Sequence, residues 1–267
     1  LARNNQRDLG QPYTRSSWLH LYLNGQYWGL YQTQERAEAN FAETYLGGDA
    51  DDYDVLKPER GPYANIATDG EFAAYDRLFQ QALARADDGV TPAFVDYAKY
   101  MEAQGLNPDG TRNEDYEVLL DVDNLIAYMI VIFQGGNLDA PISNFLGNNR
   151  INNHFSIRDR TGDEGFRFFI HDSEHTLRNV NQNRNGPYNH ANFESSVNYF
   201  NPQWLHQQLM ANDEYRIRFA DKLQEAFFNG GPLTAEAQIA KLAGIAPYFH
   251  LYDVEGNLLE VLPNPHL

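Results

Sequence analysis

The chain has 267 residues, 42% hydrophobic and 13% aromatic, which suits one large domain or two closely packed lobes around a sizeable core. Its net charge of −17, from 20 basic and 37 acidic residues, argues against a nucleic-acid groove and against adhesion to anionic membranes. No apolar run approaches the roughly 18 residues of a membrane helix, so no membrane insertion is expected, and the absence of cysteine excludes disulfides and thiolate metal sites.

Residues 1–9 read as the end of a helix stopped by Gly10 and Pro12, so the chain reads as beginning inside an element, as an excised or processed fragment would. Two strand-like runs, Trp18 to Leu23 and Tyr27 to Thr33, flank Asn24-Gly25, the signature of a two-residue type I′ hairpin turn. A helix over 36–46 stops at Gly47-Gly48, and Tyr53-Asp54-Val55-Leu56-Lys57 follows as a short strand closed by Pro58. Amphipathic spacing predicts helices over 71–85 and 92–104, the second opened by Thr91 as cap and Pro92 in the first turn. The segment 123–133 is apolar almost all round, which predicts a helix buried in a core and ended by Gly135-Gly136. Runs at 145–146, 155–157 and 166–170, separated by Asn-rich and Gly-containing turns, predict a small antiparallel sheet. Residues 186–197 read as a polar loop, a lid or substrate surface. Helices over 202–211, 213–228 and 235–248 close the chain, the first and last behind the caps Asn201 and Thr234.

Two acids and an amide carry the chemistry. Asp139 is followed five residues later by Asn144, and the strand-like run ending at Ile170 delivers Asp172 to a strand end. Phosphoryl transfer from ATP needs this order of groups: a carboxylate to orient a hydroxyl, then an amide oxygen and a second carboxylate to hold Mg²⁺ or Mn²⁺ against the phosphates. Protein kinases space the Asp and Asn of their catalytic loop the same way. Of the four lysines, Lys99, Lys222 and Lys241 fall in amphipathic helical stretches, whereas Lys57 ends a strand from which it could reach the α and β phosphates. Such a lysine needs a carboxylate to hold it, and Glu35 and Glu71 are the alternatives. Asn137 is positioned to brace the loop, and Glu174 to serve as a second metal ligand or an outer acid.

Each of these residues has a plainer reading: Lys57 as a solvated strand end, Asp139 as a turn-former before proline, Asn144 as a turn residue before a strand. The string His171-Asp172-Ser173-Glu174-His175 also invites a zinc site, with two histidines four apart. Zinc proteases place such a pair on a helix, but the preceding strand pattern sends these two apart.

Several segments together resemble the spore coat protein H (CotH) family of atypical kinases. They are the stretch from Leu21 to Tyr31, then Glu35 and Phe41, Leu56-Lys57, the loop Asn137-x-Asp139-x₄-Asn144, Phe168-Phe169-Ile170-His171-Asp172-x-Glu174, and a tail from Asn201-Pro202 through Phe219 to Ile245-Ala246-Pro247. The resemblance implies an α+β, diverged protein-kinase-like fold in one domain, 1–267, with a small β-rich nucleotide lobe over about 1–90 and a larger helical catalytic lobe over 91–267. It implies an enzyme that uses ATP and Mg²⁺ or Mn²⁺ to phosphorylate Ser or Thr of a protein, such as a coat or surface protein, at the cell surface, in a spore coat or in the secreted space rather than in the cytoplasm. Two departures motivate an alternative, a kinase-fold scaffold or surface-interaction module without catalysis. The family's usual Trp-Asp-x-Asp is His171-Asp172-Ser173-Glu174 here, and strands with Arg-Gly and Lys that normally lie upstream are not among these residues. A kinase acting on a sugar or other small molecule is a third reading, suggested by the polar stretch 181–192.

Overall fold

The computed structural model describes residues 1–245. The end of the last predicted helix, 246–248, and the Ala246-Pro247 of the family-like tail lie outside the described residues. The chain folds as an α+β protein in which a free-standing hairpin and a four-stranded antiparallel sheet meet a cluster of helices.

Helix α1 (Ala2–Asp8) leads to strands β1 (Ser16–Leu23) and β2 (Gln26–Gln34), which among the described residues pair only with each other. Asn24 and Gly25 take φ of +51° and +79°, the left-handed pair that a type I′ turn requires and that asparagine and glycine adopt at least cost. Helix α2 (Ala39–Leu46) precedes β3 (Tyr53–Glu59) and β4 (Ala64–Asp69). Pro58 lies inside β3 rather than closing it, and β4 carries no clear alternation that would have announced it. Helix α3 (Ala73–Leu83) follows; the helix expected over 92–104 is instead a 3₁₀ turn at 93–95 and a separate α4 (Tyr97–Glu102), because the Asp96 side chain accepts from Ala98 N and starts a new helix there.

Helix α5 (Val122–Gly135) is capped by Asp121, whose Oδ1 accepts from Asn124 N, and it ends where Gly136 turns left-handed at φ +56°. The next amide, Asn137 N, reaches back to Ile132 O at 3.2 Å, so the mechanism that stops the helix also fixes the start of the following loop. The expected strand at 145–146 is a turn in that loop. Strands β5 (His154–Asp159) and β6 (Arg167–Ile170) complete the sheet in the order β4-β3-β5-β6. Strands from both sides of residue 90 thus share one sheet. A five-residue α6 (Ala191–Ser195), then α7 (Pro202–Leu209), α8 (Asp213–Phe227) and α9 (Ala235–Ile245), follow.

The sheet is buried on both faces, and strand alternation sorts its side chains between two cores. Val55, Phe155, Ile157 and Phe169 pack with Phe41 and Ala42 of α2, while Leu56, Phe168 and Ile170 join α3, α5 and α7 in the main core. Strand β6 is an edge strand, and side chains occupy its edge. The Gln6 amide donates to Phe168 O and accepts from Ile170 N, and Asn124 Oδ1 accepts from Phe168 N at 2.6 Å. These bonds weld α1, α5 and β6 into one unit just before Asp172.

Two core histidines set a pH dependence. Burial pushes the imidazoles of His154 and His206 down to about 4 from 6.5. The unfolded chain therefore binds protons below about pH 6.5 that the fold refuses until about pH 4, so stability is full above that window and falls as pH drops through it, by on the order of 3 kcal/mol per histidine. Urea midpoints at pH 7 and 4.5 should show this loss, and His206→Gln, which retains a partner for the Tyr215 hydroxyl, should reduce it. An unchanged pH slope in the variant would refute the assignment.

Candidate functional site

A cleft of about 540 Å³ opens between the β3–β4 turn on one side and the loop after α5 on the other, with His171, Asp172 and Glu174 behind. Lys57, Asp139, Asp172 and Glu174, which lie far apart in sequence, all line it. Lys57 arrives on β3, opposite Ile66 of β4, and its ammonium stands 5.8 Å from the Phe155 ring centroid, within cation–π range. It makes no ion pair among the described residues.

The structure does not bring either proposed carboxylate to Lys57. Glu35 accepts from Tyr45 Oη at 2.6 Å and from Arg15 N at 2.7 Å, and these contacts hold its carboxyl below the usual range even though partial burial alone would raise it. Glu71 gives its backbone amide to Asp54 Oδ1, and its exposed side chain lies outside the cleft lining. Glu35 is drawn away by neighbours close in space that spacing along the chain did not reveal.

Asp139 is held from three directions. The Ser143 hydroxyl donates to Oδ1, and the Asn152 and Asn153 amides each donate to Oδ2 at 3.0 Å. A carboxylate has about four acceptor positions, so roughly one is left for a further hydroxyl. The backbone of Asp139 is fixed as well, since its amide donates to Asn137 Oδ1 at 2.9 Å. Asn137 therefore does brace the loop from a buried position. Asn144 is not among the lining residues: its amide bonds Leu138 O at 2.7 Å, and its exposed side chain accepts from Asn148. Asn152 and Asn153, rather than Asn144, stand beside Asp139 in the cleft. Their signal in the sequence was the Asn-rich turn before β5.

A residue that spacing gave no reason to select holds this loop. Arg184 is buried in the segment after Asp172, and it spans the loop after α5: Nε donates to Asn137 O at 2.9 Å, one terminal nitrogen to Asn148 Oδ1 at 2.6 Å, and the other to Ile142 O. Its own carbonyl accepts from Gln203 of α7 at 2.6 Å, and its guanidinium lies over the Tyr188 ring at 5.0 Å. Burial lowers its pKa, but no carboxylate contacts it among the described residues. The region expected to form a lid or substrate surface thus begins beside a structural strap.

Asp172 leaves β6 with φ of +44°, a left-handed conformation uncommon outside glycine and asparagine-like residues. Glu174 stands beside it, and partial burial, followed by a hydrogen bond shared with Asp172, raises the Glu174 carboxyl above its usual range. Two adjacent carboxylates are a natural place for a cation, whose charge would offset their repulsion. His171 packs edge-on to Phe155 at 5.0 Å, and burial, reinforced by the positive charges of Arg3, Arg36 and Lys57, pushes it down to about 4 against the pull of Asp172. His175 turns instead to Glu174 and to Arg178. Among the described residues no three His, Cys, Asp or Glu side chains gather as a structural zinc site requires. Asp172 and Glu174 would suit Mg²⁺ only together with substrate phosphates, since that ion keeps several waters and is usually bound by one or two carboxylates plus phosphate oxygens. No helix among the described residues is long and apolar enough to cross a membrane.

The sequence profile of the family described as CotH kinase protein matches residues 4–243, while a comparison with curated proteins found no match. The match takes in the hairpin, the cleft and the helices behind it, and the chain belongs to the CotH kinase family.

Proposed function

We propose that this protein is an ATP-dependent kinase that transfers the γ-phosphoryl group to a Ser or Thr hydroxyl of a protein, with Mg²⁺ or Mn²⁺. The observation that carries this reading is the convergence of Lys57, Asp139, Asp172 and Glu174 on one cleft. Lys57 supplies a positive charge to the phosphates. Asp172 and Glu174 would hold the divalent cation, which supplies neutralisation of phosphate charge when bound. Asp139 offers its remaining acceptor position to the incoming hydroxyl and orients it. In the transfer the acceptor oxygen bonds to the γ-phosphorus, the bond from that phosphorus to the β–γ bridging oxygen breaks, ADP leaves, and the hydroxyl proton passes to Asp139 or through it to solvent. Little covalent work falls to the protein, so rigid placement matters most. The proposed acceptor is a coat or surface protein, with the enzyme outside the cytoplasm, a reading that the family likeness supports.

A non-catalytic scaffold is the second reading, favoured by Glu174 standing where the family has an aspartate. A thermal melt with ATP and Mg²⁺ or Mn²⁺ separates the two, because a ligand that binds only the native state stabilises it by about 2.7 kcal/mol at a hundredfold excess over Kd. The kinase reading expects a metal-dependent rise in Tm and label transfer from γ-labelled ATP, both removed in Asp172→Ala while the unliganded melt stays within a few degrees. No shift at millimolar nucleotide would leave the scaffold.

A further inference from the structure

We propose that ATP lies across two adjoining chambers, with its γ-phosphoryl end in the cleft at Lys57 and Asp139 and its nucleoside end in a second chamber, where Arg3 takes a phosphate. The inference rests on the kinase reading and says how that site divides its substrate. The second chamber, of about 330 Å³, lies between α1, the β1–β2 hairpin and the segment after β6. Asp172 and Glu174 line both chambers and are both exposed, so a cation held there borders the two at once.

The distribution of charge points the same way. Acids outnumber bases 37 to 20, and most lysines and arginines pair with a carboxylate. Among the described residues Arg3, Lys57, Arg60, Arg150, Arg178 and Arg184 do not, and the first three of these line the two chambers. Arg3 is partly buried, donates from a terminal nitrogen to the neutral Gln34 Oε1, and keeps a buried Nε without a partner. Burial lowers its pKa, against the favourable charge of Asp172 nearby. A phosphate oxygen would give this guanidinium the counter-ion it lacks.

Asp139 sets the direction. It lines the first cleft and not the second, so the γ-phosphorus that meets the acceptor hydroxyl stands in the first and the rest of the molecule leads away. The second chamber suits a purine nucleoside. Trp18 and Gln32 are cross-strand partners, as are Ser16 and Gln34, and all four line the chamber. The indole is a surface of the kind on which bases stack. Gln32 Nε2 donates to Ser16 Oγ at 3.2 Å and Gln34 Oε1 accepts from Arg3, which leaves an acceptor on the first amide and a donor on the second. An adenine edge, with its amino donor beside a ring-nitrogen acceptor, is the complement of that pair.

Calorimetry with ATP and with inorganic tripolyphosphate, each with Mg²⁺, tests the arrangement, and thermal melts confirm that each variant folds. Arg3→Gln should raise Kd for both ligands by about tenfold, and Arg3→Lys should recover most of that loss. Trp18→Leu should raise Kd for ATP by about fivefold or more and leave that for tripolyphosphate within about twofold. Irradiated 8-azido-ATP should label the β1–β2 hairpin. ATP binding that neither Arg3→Gln nor Trp18→Leu weakens, or label confined to the β3–β4 turn and the loop after α5, would place the nucleoside in the first cleft and overturn the inference while the kinase reading stands. ATP binding that depends on Arg3 and Trp18, with no transfer to any protein, would support the second chamber and refute catalysis. Failure of the wild-type protein to bind ATP would refute both.

Discussion

Replacing Asp139 by Asn should reduce phosphoryl transfer by about 10³-fold while the protein remains folded and still binds nucleotide. A positioned acid–base group contributes typically 10² to 10⁴-fold, and here it also orients the acceptor. The amide is nearly isosteric, but its NH₂ cannot accept. The Ser143 hydroxyl and the Asn152 and Asn153 amides now converge on Asp139 as donors. In the variant the NH₂ can face Ser143, whose hydroxyl rotates to accept, so the cost is the exchange of charge-assisted for neutral hydrogen bonds, about 1–3 kcal/mol of stability. Transfer measured with γ-labelled ATP, alongside a nucleotide-dependent thermal shift and an unliganded melt, checks all three parts. Transfer retained within tenfold would remove Asp139 from the chemistry. A lost thermal shift would mean that its role lies in nucleotide binding.

Arg184→Met should have the largest effect of any substitution outside the cleft. It leaves Asn137 O, Ile142 O and Asn148 Oδ1 without the guanidinium that now satisfies them. Hydrogen bonds to a charged donor contribute about 1.5–3 kcal/mol each, but removing a buried cation also relieves its desolvation, so a net loss of about 2–4 kcal/mol is expected. The functional consequence is distinct from that loss. Asp139 rides on the loop that Arg184 secures, so kcat should fall by more than tenfold at temperatures well below the melt, with KM for ATP nearly unchanged. Arg184→Lys retains charge without the planar fork and should fall between the two. If kcat recovers fully wherever the variant is folded, Arg184 contributes stability alone.

The alternative of a zinc site shows how much an early structural reading can decide. His171 and His175 are four apart, a spacing that would align them on a helix, but they follow a strand. The structure sends one to Phe155 and the other to Glu174 and Arg178. The same logic made the hairpin legible, since Asn24-Gly25 determines its own turn with no help from distant residues. It also made α5 legible, with Asp121 as cap, an apolar surface all round, and Gly136 at the end.

Local chemistry alone determined the turns, the helix stops, the buried helix and the strand that ends before Asp172, because those features depend on neighbours within a few residues. The sequence also determined the family, whose profile matches residues 4–243. Partner choice was decided only by the tertiary structure. Glu35 went to Arg15 and Tyr45 rather than to Lys57, Asn152 and Asn153 rather than Asn144 came to the cleft, and Arg184 closed over the loop from the far side of Asp172. Hydrogen bonds and ion pairs act over a few ångströms, so which polar groups meet depends on how the sheet and α5 pack, and no spacing along the chain encodes that distance.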